Sequence, residues 1–156
     1  MIFSIPNLLA SIAAQLDGQF PDIPVYLDSN QQGTSVPCFF VFLMDPTIDD
    51  EIDTRRRRNI GVDVVYVQER NEPDIDSNNA AMLEALDGLF DTVQYFEPVD
   101  EGESAEPVPL HCLENSAHVT DDDLHYQFRI KVRVSREYTP NPMNEMDAAN
   151  VGLKGD

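Results

Sequence analysis

Leu124-His125-Tyr126-Gln127-Phe128-Arg129-Ile130-Lys131-Val132-Arg133-Val134-Ser135 alternates apolar and polar residues without a break. Successive side chains of a strand point to opposite faces, and β-branched and aromatic residues suit a pleated surface. The stretch therefore predicts one long strand, rising about 3.3 Å per residue. Leu124, Tyr126, Phe128, Ile130, Val132 and Val134 face a core, while Arg129, Lys131 and Arg133 occupy the second face.

Upstream, Thr120-Asp121-Asp122-Asp123 reads as a turn and Leu110–Val119 as the strand before it. Glu97–Pro109 holds three prolines and four glutamates and reads as a solvated loop. Val93–Phe96 is a short strand. Residues 77–91 form a helix started by Asp74, Asp76 and Ser77, with Met82, Leu83, Leu86, Leu89 and Phe90 on its buried stripe. Ile60, Val62, Val64 and Tyr66 alternate within a strand over Asn59–Gln68. Cys38-Phe39-Phe40-Val41-Phe42-Leu43-Met44 is apolar throughout, which suits a strand covered on both faces or completed by another subunit. Between these two strands lies an acidic loop, Asp45–Asp53, leading into Arg55-Arg56-Arg57-Arg58. At the start, residues 4–17 form a helix capped by Ser4, with Pro6 in its first turn and Leu8, Leu9, Ile12 and Leu16 on one stripe. A short strand, Val25-Tyr26-Leu27, follows Pro24. The order predicts a single α+β domain over residues 1–138: an antiparallel or mixed β-sheet with both helices packed on one face. Residues 139–156 read as a polar, flexible C-terminal tail.

A chain of 156 residues with 42% hydrophobic content can fold around one core without a metal or disulfide. Ten Lys and Arg against 29 Asp and Glu give a formal charge of −19. Like-charge repulsion opposes contact with DNA phosphates or anionic lipid, so neither specific nucleic-acid binding nor membrane attachment is expected. No signal segment or apolar stretch of spanning length occurs, which points to synthesis in the cytoplasm. No catalytic elbow, phosphate-binding glycine loop or zinc-binding His pair is present, so an enzyme, a cofactor and a resident metal are not expected. His118, Asp121, Asp122, Asp123 and His125 gather around one turn, but aspartates favour turn backbones for their own sake. Cys38 and Cys112 read as buried thiols. His111 beside Cys112 would point to the opposite face of a strand.

The charges are sorted. Eight of the ten cationic residues fall in Arg55–Arg58 and Arg129–Arg136, whereas acids crowd the loops Asp45–Asp53, Glu97–Glu106 and Asp121–Asp123. Arginine pairs bidentately with carboxylates and suits interfaces. The arginine run reads either as a solvated loop end balanced by the acids before it, or as a cluster that meets acidic loops on another copy. The candidate subunit contacts are Arg55, Arg56, Arg57, Arg58, Arg129, Lys131 and Arg133, with Phe39 and Val41 of the apolar strand supplying hydrophobic area.

Several short motifs occur in a telling order. After the first helix come Ile23-Pro24-Val25-Tyr26, Asn30-Gln31-Gln32-Gly33 and Pro37-Cys38-Phe39-Phe40-Val41. An arginine-containing loop, then Val62-Asp63-Val64-Val65-Tyr66, the second helix and the long closing strand follow. Over residues 5–138 this resembles the small tail terminator proteins of phages and phage-tail-like particles of Gram-positive bacteria. The resemblance implies an α+β subunit that forms a homo-oligomeric ring, usually hexameric in that group. Such a ring caps the tail tube, ends its growth and meets a head–tail connector or cap protein. Its partners would be further copies of itself, the tail tube protein and that connector or cap, in a particle assembled in the host bacterial cytoplasm. A head-completion or connector protein of the neck is the alternative structural role. An acidic DNA mimic is a third reading, disfavoured because the carboxylates sit in loops rather than along one face.

Overall fold

The computed structural model describes residues 3–27, 35–50, 55–97 and 106–135. In chain order these form α1 (Ile5–Gln19), β1 (Val25–Tyr26), β2 (Cys38–Asp50), β3 (Arg55–Val67) and α2 (Ile75–Leu89). They are followed by β4 (Thr92–Tyr95), β5 (Val108–His111), β6 (Leu113–Thr120) and β7 (Asp123–Ser135). The main sheet is five-stranded in the order β1-β2-β3-β7-β6, and β4 pairs with β5 in a small second sheet. Only β1–β2 is parallel, so the main sheet is mixed. The predicted tail over 139–156 and much of the predicted loop, residues 98–105, lie outside the described residues.

Alternation sets the layers. Ile60, Val62, Val64 and Tyr66 of β3 stand in register with Ile130, Phe128, Tyr126 and Leu124 of β7. All eight are buried in one cluster with Leu8, Ile12 and Leu16 of α1 and Met82 and Leu86 of α2. Both helices thus pack on one face, as the sequence predicts. Ser4 caps α1 by accepting from the Asn7 amide at 3.2 Å. Asp74 makes no equivalent side-chain cap on α2. Gln68 secures that helix instead, donating to the Ile75 carbonyl at 3.0 Å and to Asn79 Oδ1 at 2.8 Å. The Tyr126 hydroxyl donates to Asp87 Oδ1 and accepts from Asn115 Nδ2, each at 2.8 Å. Burial, foremost, pushes that phenol up to about 12.

Two strand boundaries correct the sequence reading. The predicted acidic loop is in large part β2, which runs on to Asp50 through a bulge between Met44 and Thr47. Asp45 takes φ +35 there, and Pro46, which has no N–H to donate, sits inside the irregularity. Pairing then resumes with Thr47 opposite Asn59, so Arg55–Arg58 lie in β3 rather than in a loop. Likewise Leu110–Val119 is not one strand: the chain passes from one sheet to the other at Cys112, whose amide donates to the Asp91 carbonyl at 3.0 Å.

The bulge explains Gly61. A Cβ there would lie 2.8 Å from the Met44 carbonyl oxygen and 3.0 Å from Arg129 Nη1. The obstacle is backbone, which cannot swing aside. Gly61→Ala is therefore expected to lower the free energy of unfolding by about 1–3 kcal/mol, the usual cost of overpacking. A urea titration with an unshifted midpoint would refute this.

Candidate functional site

The sheet face opposite the helices has no described helix or strand over it. Its residues alternate with the core residues, and their rows follow from the register. Phe40 of β2 lies opposite Val65 of β3, which lies opposite His125 of β7 and then His118 of β6. The next row is Phe42, Asp63, Gln127 and Ser116, and the one after it joins Met44, Gly61, Arg129 and Leu113. Further along, Asn59 faces Lys131, and Asp49, Arg57 and Arg133 share a row.

One end of this face is aromatic. Tyr26 of β1 and Phe40 have ring centroids 5.6 Å apart, and Phe40 and Phe42 follow at 5.9 Å. All three are half-buried. The middle is polar but sunk: Asp63 is only 8% exposed. Its Oδ2 lies 2.9 Å from His125 Nδ1, while Oδ1 is buried without a hydrogen-bond partner. The His118 and His125 rings stack at 4.8 Å with planes 3° apart. Arg129 crosses above Gly61, donating from Nε to Asn59 Oδ1 at 2.7 Å and from Nη2 to the Asp45 carbonyl at 3.0 Å. Beyond it Lys131 and Arg133 are exposed, so the far end of the face is cationic. Such a surface offers aromatic area for contact and arginines for pairing with carboxylates.

The remaining chemical candidates resolve into structure. Asp121 and Asp122 have φ +50 and +67, the left-handed pair that a two-residue hairpin turn between β6 and β7 requires. Cys38 and Cys112 are free. Burial, and secondarily Asp91, pushes the Cys112 thiol up to about 12, the reverse of the shift that activates a nucleophilic cysteine. Among the described residues, no helix is long and apolar enough to cross a membrane.

A family model described as phage tail terminator protein matches residues 7–142, which takes in almost the whole described fold. The chain belongs to the phage tail terminator family. No curated protein sequence matches it. The tail terminator is a structural component of the phage tail and acts through contacts with other tail components.

In this terminator subunit the predicted contact residues do not form one patch. Arg129, Lys131 and Arg133 stand on the open face, as their alternation predicts. The arginine run divides because it is a strand: Arg55 and Arg57 share the open face, whereas Arg56 and Arg58 turn to the helix side. There the Arg58 guanidinium lies 5.3 Å from the centroid of the Phe3 ring. Phe39 and Val41 are a correction. They are 0% and 1% exposed, inside the subunit's own core. Phe39 packs against Phe20 and Tyr66, each at 5.4 Å. The outward positions of β2 belong to Phe40 and Phe42. Because Cys38–Met44 is apolar at both parities, the sequence carried no signal to choose between them; the register with β3 makes the choice.

Proposed function

We propose that this tail terminator closes into a ring of identical subunits, six by family resemblance, seated on the last ring of the tail tube. The ring halts tube growth and presents its other side to a head–tail connector or a cap protein. Its role is structural, with no catalytic step. One observation carries the reading: an entire face of a five-stranded sheet bears an aromatic ladder and a cationic end, with no described element over it. The protein is strongly acidic, so the cationic end faces mostly carboxylates on any neighbouring copy. A contact between unlike patches is head-to-tail, and such contacts close into rings when the rotation permits.

Electron microscopy of the purified protein, alone and with tail tube protein, tests this directly. Rings with a central hole are expected; a strict monomer at high concentration in both samples overturns the proposal. Arg57→Glu combined with Arg133→Glu should weaken assembly at least about tenfold, and more so at low salt. The subunit should remain folded, losing about 0.2–1 kcal/mol for each cross-strand pair that the reversal makes unfavourable, since Asp49 lies opposite Arg57. Assembly unchanged by the charge reversals would remove these arginines from the interface.

A further inference from the structure

The histidines that the sequence gathers around the β6–β7 turn come together on the open face. His118 and His125 are seven positions apart, and the turn places them directly opposite each other in the ladder. Their rings stack with centroids 4.8 Å apart and planes 3° apart. His125 is anchored through Nδ1, which lies 2.9 Å from Asp63 Oδ2, so Nε2 is the nitrogen left to bind a ligand. His118 is exposed and makes no hydrogen bond among the described residues. Asp63 is 8% exposed, its Oδ1 has no hydrogen-bond partner, and its Oδ2 has that one imidazole. Asp123, two residues before His125, adds a further carboxylate on the same face.

We infer that His118 and His125 bind one divalent transition-metal ion of the kind that prefers imidazole nitrogen, Zn2+ foremost, with Asp63 as a positioning carboxylate. A carboxylate that orients a histidine through its second ring nitrogen is the arrangement that metal-binding imidazoles use. The ion also compensates Asp63, because positive charge on Nε2 polarises the ring toward a carboxylate too buried for water to stabilise. A simple ion pair accounts for Asp63 and His125 but leaves the parallel ring of His118 without a role. Two Zn–N bonds of about 2.0–2.1 Å at the tetrahedral angle put their nitrogens about 3.3 Å apart. Rings with centroids 4.8 Å apart reach that separation by tilting toward each other, which the exposed edge position of His118 permits. Among the described residues no three such side chains converge on one point, so the chain supplies two ligands and water completes the tetrahedron. The bound ion ties the exposed edge strand β6 to β7 and, through Asp63, to β3. The site lies within one copy and does not depend on ring formation.

Isothermal titration calorimetry of the full chain, stripped of metal and titrated with Zn2+, tests this. One ion per chain is expected, bound in a way that Ca2+ does not displace, since Ca2+ takes oxygen ligands. Asp63→Asn should weaken binding by about 10–100-fold, the usual effect of losing an orienting partner. His118→Asn should weaken it by more than about tenfold, since a ligand matters more than the group that orients one. Because His118 is exposed and makes no hydrogen bond, that variant keeps its fold, which circular dichroism checks. His111→Asn, at the third histidine of the chain, should bind as the unaltered protein does. Zn2+ should also raise the urea midpoint of the unaltered chain but not that of His118→Asn, because a ligand of the folded state stabilises it. Absence of saturable Zn2+ binding, full affinity in His118→Asn, loss of binding in His111→Asn, or displacement by Ca2+ each overturns the inference. Full affinity in Asp63→Asn overturns the role given to that carboxylate.

Discussion

Phe40→Asp together with Phe42→Asp should give a folded subunit that no longer assembles. Both rings lie on the open face, half-buried against Tyr26 and each other. Their backbone partners across the ladder are Val65 and Asp63, and neither ring belongs to the core cluster on the helix side. Within the monomer the change therefore removes only part of each ring's burial. At an interface the same rings would be fully desolvated, each contributing on the order of 1.5–3 kcal/mol. Replacing them with carboxylates deletes that term and adds a desolvation cost for each charge. Because every subunit in a ring both offers and receives this face, association should weaken by more than about a hundredfold, each 1.4 kcal/mol being a factor of ten. Light scattering reads the mass and circular dichroism the fold. A variant that still forms rings excludes this face from the contact, and one that fails to fold shows that the aromatic ladder is structural.

The contrast between the two faces also explains what the sequence disclosed. β7 was legible because one face is core and the other is not, so every residue takes a side. The helices were legible for the same reason, and α2 was placed only two residues late because its first turn is held by Gln68 rather than by an aspartate cap. β2 was legible as a strand but not in its facing, since apolar residues occupy both parities until register with β3 decides. Arg55–Arg58 looked like a loop because four charges in a row carry no period. They become strand through neighbours, β2 on one side and β7 on the other. Other organising residues gave no local sign. Gln15 donates to the Leu89 and Thr92 carbonyls at 3.2 and 2.9 Å and accepts from the Gln94 amide at 3.1 Å. Those contacts tie α1 to the turn after α2, and nothing within a helical stripe announces partners more than seventy positions away.

Phe90→Ala should be the most damaging single truncation discussed, and its size tests whether the helix side is the true core. Phe90 follows the last turn of α2, where its amide donates to the Leu86 carbonyl at 2.9 Å. Its ring is fully buried, 5.0 Å from Phe128 and 6.2 Å from Tyr126, and its carbonyl accepts from Asn115 Nδ2 at 2.8 Å. One residue thus joins the end of α2, the edge strand β6 and the centre of β7. Truncation empties a site whose walls are strands that cannot move inward without breaking the ladder, so the cavity persists. The expected loss is about 3–5 kcal/mol, the usual range for a buried phenylalanine. That is a large part of the roughly 5–15 kcal/mol that holds a domain folded. Phe40→Ala, the same chemical change on the open face, should cost less, about 1–2 kcal/mol, because its ring is only partly buried within the subunit. Urea unfolding of both variants, as monomers, gives the comparison. Equal losses would mean that the open face is buried within the subunit and would leave no aromatic surface for a neighbour.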